Sequence, residues 1–418
     1  MPQFTAIKKS ETRVLAQLRK INLSEEPYES VKFNDEPKLP TYVCIPNKEA
    51  KSKYAWRESF GLGCATNTTV AKIKSIAEFL ERLSIFNPRV KSLIKSEYHG
   101  SAYVDPSLFL HYPDTQIKSG WHCRDRIRDG TYLWSGSVDY LNKKRVYLPA
   151  QLVYLSGIFK REQDIAPEQI TTGAALGNGL EHAFESGFLE VVERDAFIIS
   201  YLNKRRVPRI VDFPDSVNDI LQYLKRYYID VFVFDITTDL EIPAVMAIAV
   251  DKRGFGPAIS VGLKSGFDIE NVILGSVTES IQSRRQIRFD REMSGARAKL
   301  PTESRIRSIK DRYYYWYPQR MIGHLDFWLK GNTAIGFDKL WAHSSSLKES
   351  VKQLRDRGYH IFYTDITLGE LKKTGFVAGK VLIPELQPLY LSERTKVLYS
   401  VHGGNIVPKR GLKPHPFT

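Results

Sequence analysis

One short pattern occurs twice in this chain of 418 residues and constrains its fold more than any other feature. The pattern Glu-x-x-Glu-Arg stands in EFLERLS at 78–84 and again in EVVERDA at 190–196. Each copy follows a glycine-containing turn, and apolar residues recur around it at helical spacing. The sequence therefore predicts two helices, each of which carries a pair of carboxylates followed by an arginine.

The two acidic pairs are candidates for a shared metal site. Residues three apart in a helix lie on one face, so Glu78 and Glu81 project together, as do Glu190 and Glu193. If the two helices pack side by side, four like charges converge, and a cation is needed to neutralise them. Oxygen ligands without Cys or His suit Mg²⁺.

The arginines that follow the pairs, Arg82 and Arg194, suit phosphate, which a guanidinium binds bidentately. The glycine turns match neither GxxxxGK[ST] nor GxGxxG between a strand and a helix, so a P-loop, Rossmann or kinase site is excluded. The residues alone leave two interpretations open: a metal and phosphate site, or two helix faces that expose their charges to solvent.

Helical and strand patterns intermix along the whole chain without a linker, and the order of glycine turn, then helix with acidic pair, recurs. This pattern predicts one α+β unit with a pseudo-duplicated core.

Composition excludes several classes of protein. The three cysteines form no CxxC pair and the histidines no HExxH motif, so a zinc site is not expected. The net charge of +14 is spread along the chain rather than gathered in one arm, which makes nucleic-acid binding unlikely. No apolar run is long enough to span a bilayer and the start lacks a signal peptide, so we expect a cytoplasmic protein with no membrane partner.

The stretch TTGAALGNGLEHAFESGFLEVVERDA closely resembles the central motif of the YcaO family, ATP-dependent enzymes that activate peptide-backbone amides. Four further stretches resemble the family in the same order: KSIAEFLERLS, RVYLPAQLVY, TESIQSRR and VLIPELQPLYL with a PHPF ending. The resemblance covers about residues 55–418. It implies a single large YcaO-type domain around an ATP site over 55–418, with a Pro-containing tail, and residues 1–54 as a lead-in packed on the core.

The resemblance also assigns roles to individual residues. It implies that Mg²⁺ under the phosphates of ATP is held by Glu78, Glu81, Glu190 and Glu193. The residues implied to line the nucleotide pocket are Ser75, Arg82, Asn178, Glu181 and Arg194. Those implied at the reacting end are Gln282 and Arg284, from a Glu-x-x-Gln-x-Arg match, and Pro416 of the tail.

Alternatives remain for several of these residues. Glu181 could be only the capping-box partner of Asn178, and His182 stands where the family usually has a second acid. Arg284 could be a solvent-facing helix arginine. The end of the chain, 414–418, matches two prolines of the Pro-x-Pro-x-Pro ending of azoline-forming members and replaces the last with Thr, and it could be a frayed tail.

The resemblance implies an ATP-dependent cyclodehydratase that converts Cys, Ser or Thr of a ribosomally made precursor peptide to thiazoline or oxazoline. Its expected partners are the precursor peptide and a separate E1/ThiF-like or leader-recognition protein, and a homodimer is possible. The alternatives are a thioamide-forming enzyme that uses external sulfide and a sulfur-delivery protein, or an ATP-binding accessory factor in ribosomal-protein modification.

Overall fold

A computed structural model describes residues 2–113, 116, 127–160, 162, 165, 169–294, 300–342 and 346–417. Within these residues the α-helices are α1 (Pro2–Arg19), α2 (Lys48–Lys53), α3 (Thr68–Phe86), α4 (Ala150–Val153), α5 (Leu180–Leu202), α6 (Asp215–Lys225), α7 (Ile269–Ser294), α8 (Ile309–Trp316), α9 (Asp326–Leu329), α10 (Leu347–Asp356) and α11 (Gly369–Lys372). Short 3₁₀ helices occupy Val90–Ser92, Pro106–Phe109, Gly157–Phe159, Glu303–Arg305, Gln319–Leu325, Phe337–Ala342 and Glu393–Thr395.

The described strands lie between these helices along the whole chain, which confirms the α+β prediction. They are β1 (Tyr28–Glu29), β2 (Thr41–Cys44), β3 (Gly61–Cys64), β4 (Ile94–Glu97), β5 (Thr131–Asp139), β6 (Lys144–Pro149), β7 (Ala174–Asn178), β8 (Arg209–Val211), β9 (Ile229–Asp235), β10 (Ala244–Asp251), β11 (Ile259–Ser265), β12 (Ala334–Gly336), β13 (Phe362–Asp365), β14 (Phe376–Leu382), β15 (Tyr399–Ser400) and β16 (Gly404–Asn405).

The chain divides into two compact units, and the division falls within α5, after Val191. Unit 1 comprises Met1–Ser30, Leu39–Val191 and Tyr359–Glu385, and unit 2 comprises Val31–Lys38, Val192–Gly358 and Leu386–Thr418. Each unit therefore contributes one part of the helix that carries Glu190 and Glu193.

Unit 1 contains two sheets. One has the order β1-β2-β3, and the other has the order β4-β5-β13-β14-β7 with β6 paired to β5. Helix α3 packs on β2 and β3, and its buried face includes Ile76, Phe79 and Leu83. Asn67 caps the start of α3 by accepting a hydrogen bond from the backbone N–H of Val70 at 2.8 Å.

Unit 2 is built on one sheet with the order β11-β10-β9-β8-β12. All eight residues of β10 are buried, which explains why AVMAIAVD reads as a nearly continuous apolar run rather than an alternating one. Helix α7 packs on β10 and β11, and α6 packs on β9. This packing of α7 on the sheet fixes the position of Glu279, an acidic residue of α7 that is hydrogen-bonded by the backbone of β11.

Two details differ from or extend the sequence interpretation. The first residues form the helix Pro2–Arg19 rather than an irregular lead-in, because apolar side chains such as Leu15 and Leu18 recur at helical spacing and are buried. Cys44 and Cys64 are buried thiols, and Cys123 lies outside the described residues.

No helix in the described part of the chain has the length and apolarity needed to traverse a bilayer.

Candidate functional site

The first acidic pair lies where α3 packs against β3 in unit 1. Glu78 accepts a hydrogen bond from the backbone N–H of Leu62 at 2.8 Å and forms an ion pair with Arg82 at 2.6 Å. A side chain at Gly61 would place its Cβ only 1.9 Å from the backbone oxygen of Ser75. Glycine therefore allows the helix to approach the strand closely enough for Glu78 to reach a backbone N–H.

Glu190 lies beside this pair, also in unit 1. Its carboxylate accepts from the backbone N–H of Gly173 at 2.9 Å. Burial, and then repulsion from Glu190 and Glu78, hold the pKa of Glu81 well above its ordinary value. Burial also raises the pKa of Glu78, against the attraction of Arg82. The structure thus brings together three of the four predicted ligands, at an electrostatic cost to the metal-free protein.

A buried lysine belongs to the same group of charges. The ammonium of Lys380 donates to the carbonyl oxygens of Ile170 at 2.9 Å and Thr172 at 2.6 Å. Burial lowers the pKa of Lys380 to about 8, although Glu190 and Glu81 attract its charged form. Lys380 therefore offsets part of the negative charge of the acidic group.

The fourth predicted ligand, Glu193, lies in unit 2 with an acid that the sequence interpretation missed. Glu193 is buried, accepts from the backbone N–H of Ser265 at 3.1 Å and is hydrogen-bonded by Arg194. Glu279 accepts from the backbone N–H of Leu263 at 2.6 Å. Burial and the nearby Glu193 raise the pKa of Glu279 to about 7, against the attraction of Arg194.

The surroundings of Glu279 in unit 2 repeat those of Glu78 in unit 1. A Cβ at Gly262 would lie 2.1 Å from the backbone oxygen of Ser276, just as Gly61 meets Ser75. In each unit a carboxylate three residues after that serine bonds the N–H of the leucine that follows the glycine. This shared arrangement relates α3 to α7, whereas the sequence pattern placed the repeat in α3 and α5, so the predicted pseudo-duplicated core stays a prediction.

The donor set of both groups fits Mg²⁺, since it is made of carboxylate oxygens near compensating cations. Across the part of the chain that the structure describes, no three His, Cys, Asp or Glu side chains already form a metal cage. Backbone N–H groups and arginines hold the carboxylates instead. The raised pKa values of Glu78, Glu81 and Glu279 show that their charges are only partly compensated, which a cation would relieve.

The end of the chain is anchored in unit 2 next to Arg194. The ring of Phe417 lies 4.3 Å from the guanidinium carbon of Arg194. Trp316 donates to the carbonyl of Pro414 at 2.9 Å, and Arg312 donates to that of His415 at 3.0 Å. Residues 414–417 are all buried, Pro416 among them, so the frayed-tail alternative is wrong for them. Thr418 lies outside the described residues.

Asn178 ends β7 in unit 1 and is exposed. Its backbone N–H donates to Nδ1 of His182 at 3.2 Å, so His182 takes the role that the capping-box alternative gave to Glu181. Because a backbone N–H can only donate, Nδ1 accepts and the proton of the neutral ring is on Nε2. Glu181 is exposed, and its nucleotide contact stays a prediction.

Three other predicted residues have different environments. Ser75 is fully buried and its hydroxyl donates to the carbonyl of Lys72 at 2.9 Å. Gln282 is half-buried on α7, three residues after Glu279. Arg284 is fully buried, so the solvent-facing alternative is wrong.

The guanidinium of Arg284 is engaged by protein acceptors in unit 2. It bonds both oxygens of Glu36 at 2.7 and 2.8 Å, Asp251 at 2.5 Å and the carbonyl of Pro257 at 2.9 Å. A phosphate would have to compete with these partners. The role of Arg284 at the phosphate side therefore stays a prediction, and its observed role is to hold Glu36 and Asp251 on α7.

The missed residues could be found only in part. Glu279 is the first residue of the Glu-x-x-Gln-x-Arg match, but that match gave roles only to Gln282 and Arg284. The sequence feature that could reveal Glu279 is the spacing that it shares with Glu78: a Gly-Leu pair in a strand, and then a serine three residues before the acid. Lys380 is a single lysine in the apolar run FVAGKVL. The spacing of apolar residues does not reveal that this lysine lies beside the acidic residues.

Two groups of buried carboxylates on a mixed helix and sheet scaffold fit a class of protein that binds a divalent cation such as Mg²⁺. Residues 62–387 match the family model described as YcaO cyclodehydratase, ATP- and Mg²⁺-binding. The chain belongs to the YcaO family, which confirms the family prediction. The predicted boundaries at 54 and 55 stay a prediction.

Solved structures show the same fold. The structure of YcaO from Methanopyrus kandleri, bound with AMPPCP and Mg²⁺, has a TM-score of 0.68 and 18% identity, covering 97% of this chain and 96% of that one. A chain of the E. coli microcin synthetase McbBCD complex has a TM-score of 0.63 and 16% identity, covering 92% and 96%. These likenesses confirm the predicted YcaO-type α+β fold.

A heterocyclase in complex with substrate and cofactor has a TM-score of 0.67 and 18% identity, covering 91% of this chain and 53% of that one. This chain therefore spans about half the length of that heterocyclase.

Proposed function

We propose that this chain is an ATP-dependent cyclodehydratase that converts Cys, Ser or Thr of a ribosomally made precursor peptide to thiazoline or oxazoline. The observation that carries the proposal is the pair of carboxylate groups: Glu78, Glu81 and Glu190 in unit 1, and Glu193 with Glu279 in unit 2. The raised pKa values of Glu78, Glu81 and Glu279 are typical of functional sites.

The carboxylates would hold Mg²⁺, which supplies charge neutralisation for the phosphates of ATP. Arg82 and Arg194 would direct guanidinium donors toward the same phosphates. In the proposed reaction, the side-chain nucleophile of the peptide adds to the preceding carbonyl carbon. The resulting oxyanion attacks the γ-phosphate of ATP, with loss of ADP, and phosphate then leaves with the former amide oxygen.

Asn178, Glu181 and Ser75 are proposed to line the nucleotide pocket, and Gln282, Arg284 and Pro416 the reacting end. For Pro416 the support is its burial within a tail whose next residue lies against Arg194. For Ser75 the support is the family resemblance alone, because its hydroxyl donates to the carbonyl of Lys72 within α3.

A thioamide-forming activity is the second candidate. The ending Pro414-His415-Pro416-Phe417-Thr418 matches two of the three prolines of the azoline-type ending, which favours cyclodehydration, while the replaced last proline keeps the thioamide activity as an alternative. External sulfide would then replace the side-chain nucleophile, and a sulfur-delivery protein would be the partner.

We expect the cyclodehydratase to need a separate E1/ThiF-like or leader-recognition protein. The support is the likeness in fold to a chain of the McbBCD complex, which covers 92% of this chain and 96% of that one.

The test is mass spectrometry of a candidate precursor peptide, with heavy oxygen in its amides, after incubation with the protein, its partner, Mg²⁺ and ATP. Loss of one water per modified residue, with heavy oxygen in the released phosphate, supports the cyclodehydratase. Exchange of oxygen for sulfur supports the thioamide activity. ATP binding with an unchanged peptide for every candidate would contradict both and favour an accessory role.

A further inference from the structure

Two aromatic rings in unit 2 lie largely in solvent, and both lie near the same arginine. Tyr228 is 61% exposed and Phe255 is 66% exposed, the two largest values among the aromatic side chains that the structure describes. Tyr228 follows α6, and Phe255 lies in the loop between β10 and β11. The backbone N–H of Lys252 donates to the carbonyl of Tyr228 at 3.0 Å, which joins the two segments.

Arg253 holds the rings together. Its guanidinium carbon lies 5.5 Å from the ring centre of Tyr228 and 6.0 Å from that of Phe255. One guanidinium nitrogen donates to the carbonyl of Asp35 at 2.8 Å, and the backbone N–H of Arg253 donates to Asp251 at 2.7 Å. The two rings and the cation therefore form a fixed surface, which we call the Tyr228–Phe255 surface.

The backbone at Tyr228 is unfavourable for the residue that stands there. Its φ is +57°, in the left-handed region that favours glycine or asparagine and disfavours a bulky aromatic residue. Burial does not repay this strain, since the ring is mostly exposed. A strained backbone that presents an exposed ring indicates that the ring serves a contact outside the unit.

The charges around the rings are mostly positive. Lys225 and Arg226 precede Tyr228 and are exposed, and Lys252 is 51% exposed. Lys252 pairs with Asp230 at 3.4 Å. The neighbouring Asp251 is buried and bound to Arg284, so its charge is already compensated. The surface therefore offers two rings and an excess of cations.

We propose that the Tyr228–Phe255 surface binds an acidic polypeptide segment that carries apolar side chains. The rings would cover the apolar side chains, and Lys225, Arg226 and Lys252 would pair with the carboxylates. Single-stranded nucleic acid fits less well. One side of each ring faces the guanidinium of Arg253, which limits base stacking, and a few cations do not form a groove that follows a phosphate backbone.

The probe is a short fluorescein-labelled peptide in which Glu alternates with Leu and Phe, measured by fluorescence anisotropy with the full chain. A peptide with Lys in place of Glu is its matched control. We expect the acidic peptide to bind about tenfold or more tightly than the Lys peptide and to weaken with added salt. Equal binding of the two peptides, or no binding of the acidic one, overturns the proposal.

Variants of the chain locate the contact. Tyr228→Asn removes the ring and relieves the left-handed strain, so this variant should fold at least as stably as the native chain while binding the acidic peptide about tenfold more weakly. Phe255→Ser should weaken binding similarly. Val407→Ser, at another apolar side chain of unit 2 that is 80% exposed, should leave binding unchanged.

Nucleic acid or a second copy of the chain, as the occupant of this surface, would give different results. Binding of a labelled oligothymidylate that depends on Tyr228 and Phe255, without binding of the acidic peptide, would assign the surface to nucleic acid and overturn the proposal. Self-association in sedimentation that both ring variants abolish, again without peptide binding, would assign it to a second copy of the chain and also overturn the proposal.

Discussion

Phe417 lies against Arg194, which in turn bonds the predicted metal ligand Glu193. All three side chains are nearly buried in unit 2, where a cation–π contact is stronger than in water. The last described residue of the chain therefore fixes the direction of an arginine that we propose for the phosphates.

Replacing Phe417 with leucine keeps an apolar side chain there but removes the π face. We expect Phe417→Leu to bind Mg²⁺·ATP about five- to tenfold more weakly, a loss of on the order of 1 kcal/mol, because Arg194 is less firmly held. Phe417→Tyr keeps the ring and should bind as the native chain does. Calorimetric titration measures both. Equal affinity of Phe417→Leu and the native chain contradicts the positioning role.

Glu279 gives a prediction about pH. Its pKa in the folded protein is about 7, above the ordinary value of 4.5. Between these two pH values, the Glu279 carboxyl is protonated in the folded protein and ionised in the unfolded chain. Stability therefore falls as pH rises through this window. The loss of folding stability caused by Glu279 is absent below about pH 4.5 and fully present above about pH 7.

Glu279→Gln removes this loss of stability and keeps an oxygen for the N–H of Leu263. At pH 8 we expect the metal-free variant to exceed the native chain in free energy of unfolding by on the order of 1–2 kcal/mol, and the gain to vanish in acid. Urea denaturation across pH measures it. Glu292→Gln, at an exposed acid of the same helix, should change stability by less than about 0.5 kcal/mol. A Glu279→Gln variant that is no more stable at pH 8 refutes the electrostatic account.

At the scale of elements, close packing of a helix on a glycine strand recurs in both units. Gly61 meets Ser75 on α3, and Gly262 meets Ser276 on α7, at distances that leave no room for a methyl group. The opposing atoms are backbone, so a rotamer change does not relieve the clash.

We expect Gly61→Ala and Gly262→Ala each to destabilise the protein by about 3 kcal/mol or more, since the helix must move away from the strand. Gly323→Ala is the matched control, because a Cβ there meets no atom within 4 Å. Denaturant unfolding compares the three variants. Unchanged stability of both strand variants would show that α3 and α7 do not need this close contact.

The sequence predicted these elements unevenly. The helices α3 and α5 were predicted from their apolar spacing, because burial of one helix face leaves a period in the sequence. Helix α5 begins at Leu180, and the side chain that accepts from Asn178 is His182, since several polar residues in that turn could serve.

At the scale of the whole molecule, the sequence identified the acids that share a recurring motif but not all the charges around them. Glu78, Glu81, Glu190 and Glu193 share a spacing that helix geometry explains. The coupling of Glu81 to Lys380 arises only when distant segments meet in the folded unit, so no local pattern reveals it.

The central claim is that the carboxylates of each unit are needed to bind Mg²⁺·ATP. The most direct measurement is the stabilisation of the purified protein by ATP with and without Mg²⁺, for the native chain and for Glu190→Gln, Glu279→Gln and Glu162→Gln. Glu162 is the matched control, since its pKa is also raised by burial, while its partners are Leu133 and Gln151.

At 100 times its dissociation constant, a ligand that binds only the folded state stabilises it by about 2.7 kcal/mol. We predict this gain for the native chain and Glu162→Gln, only when Mg²⁺ is present, and its loss in both Glu190→Gln and Glu279→Gln. A full Mg²⁺-dependent gain in either of these two variants would contradict the account.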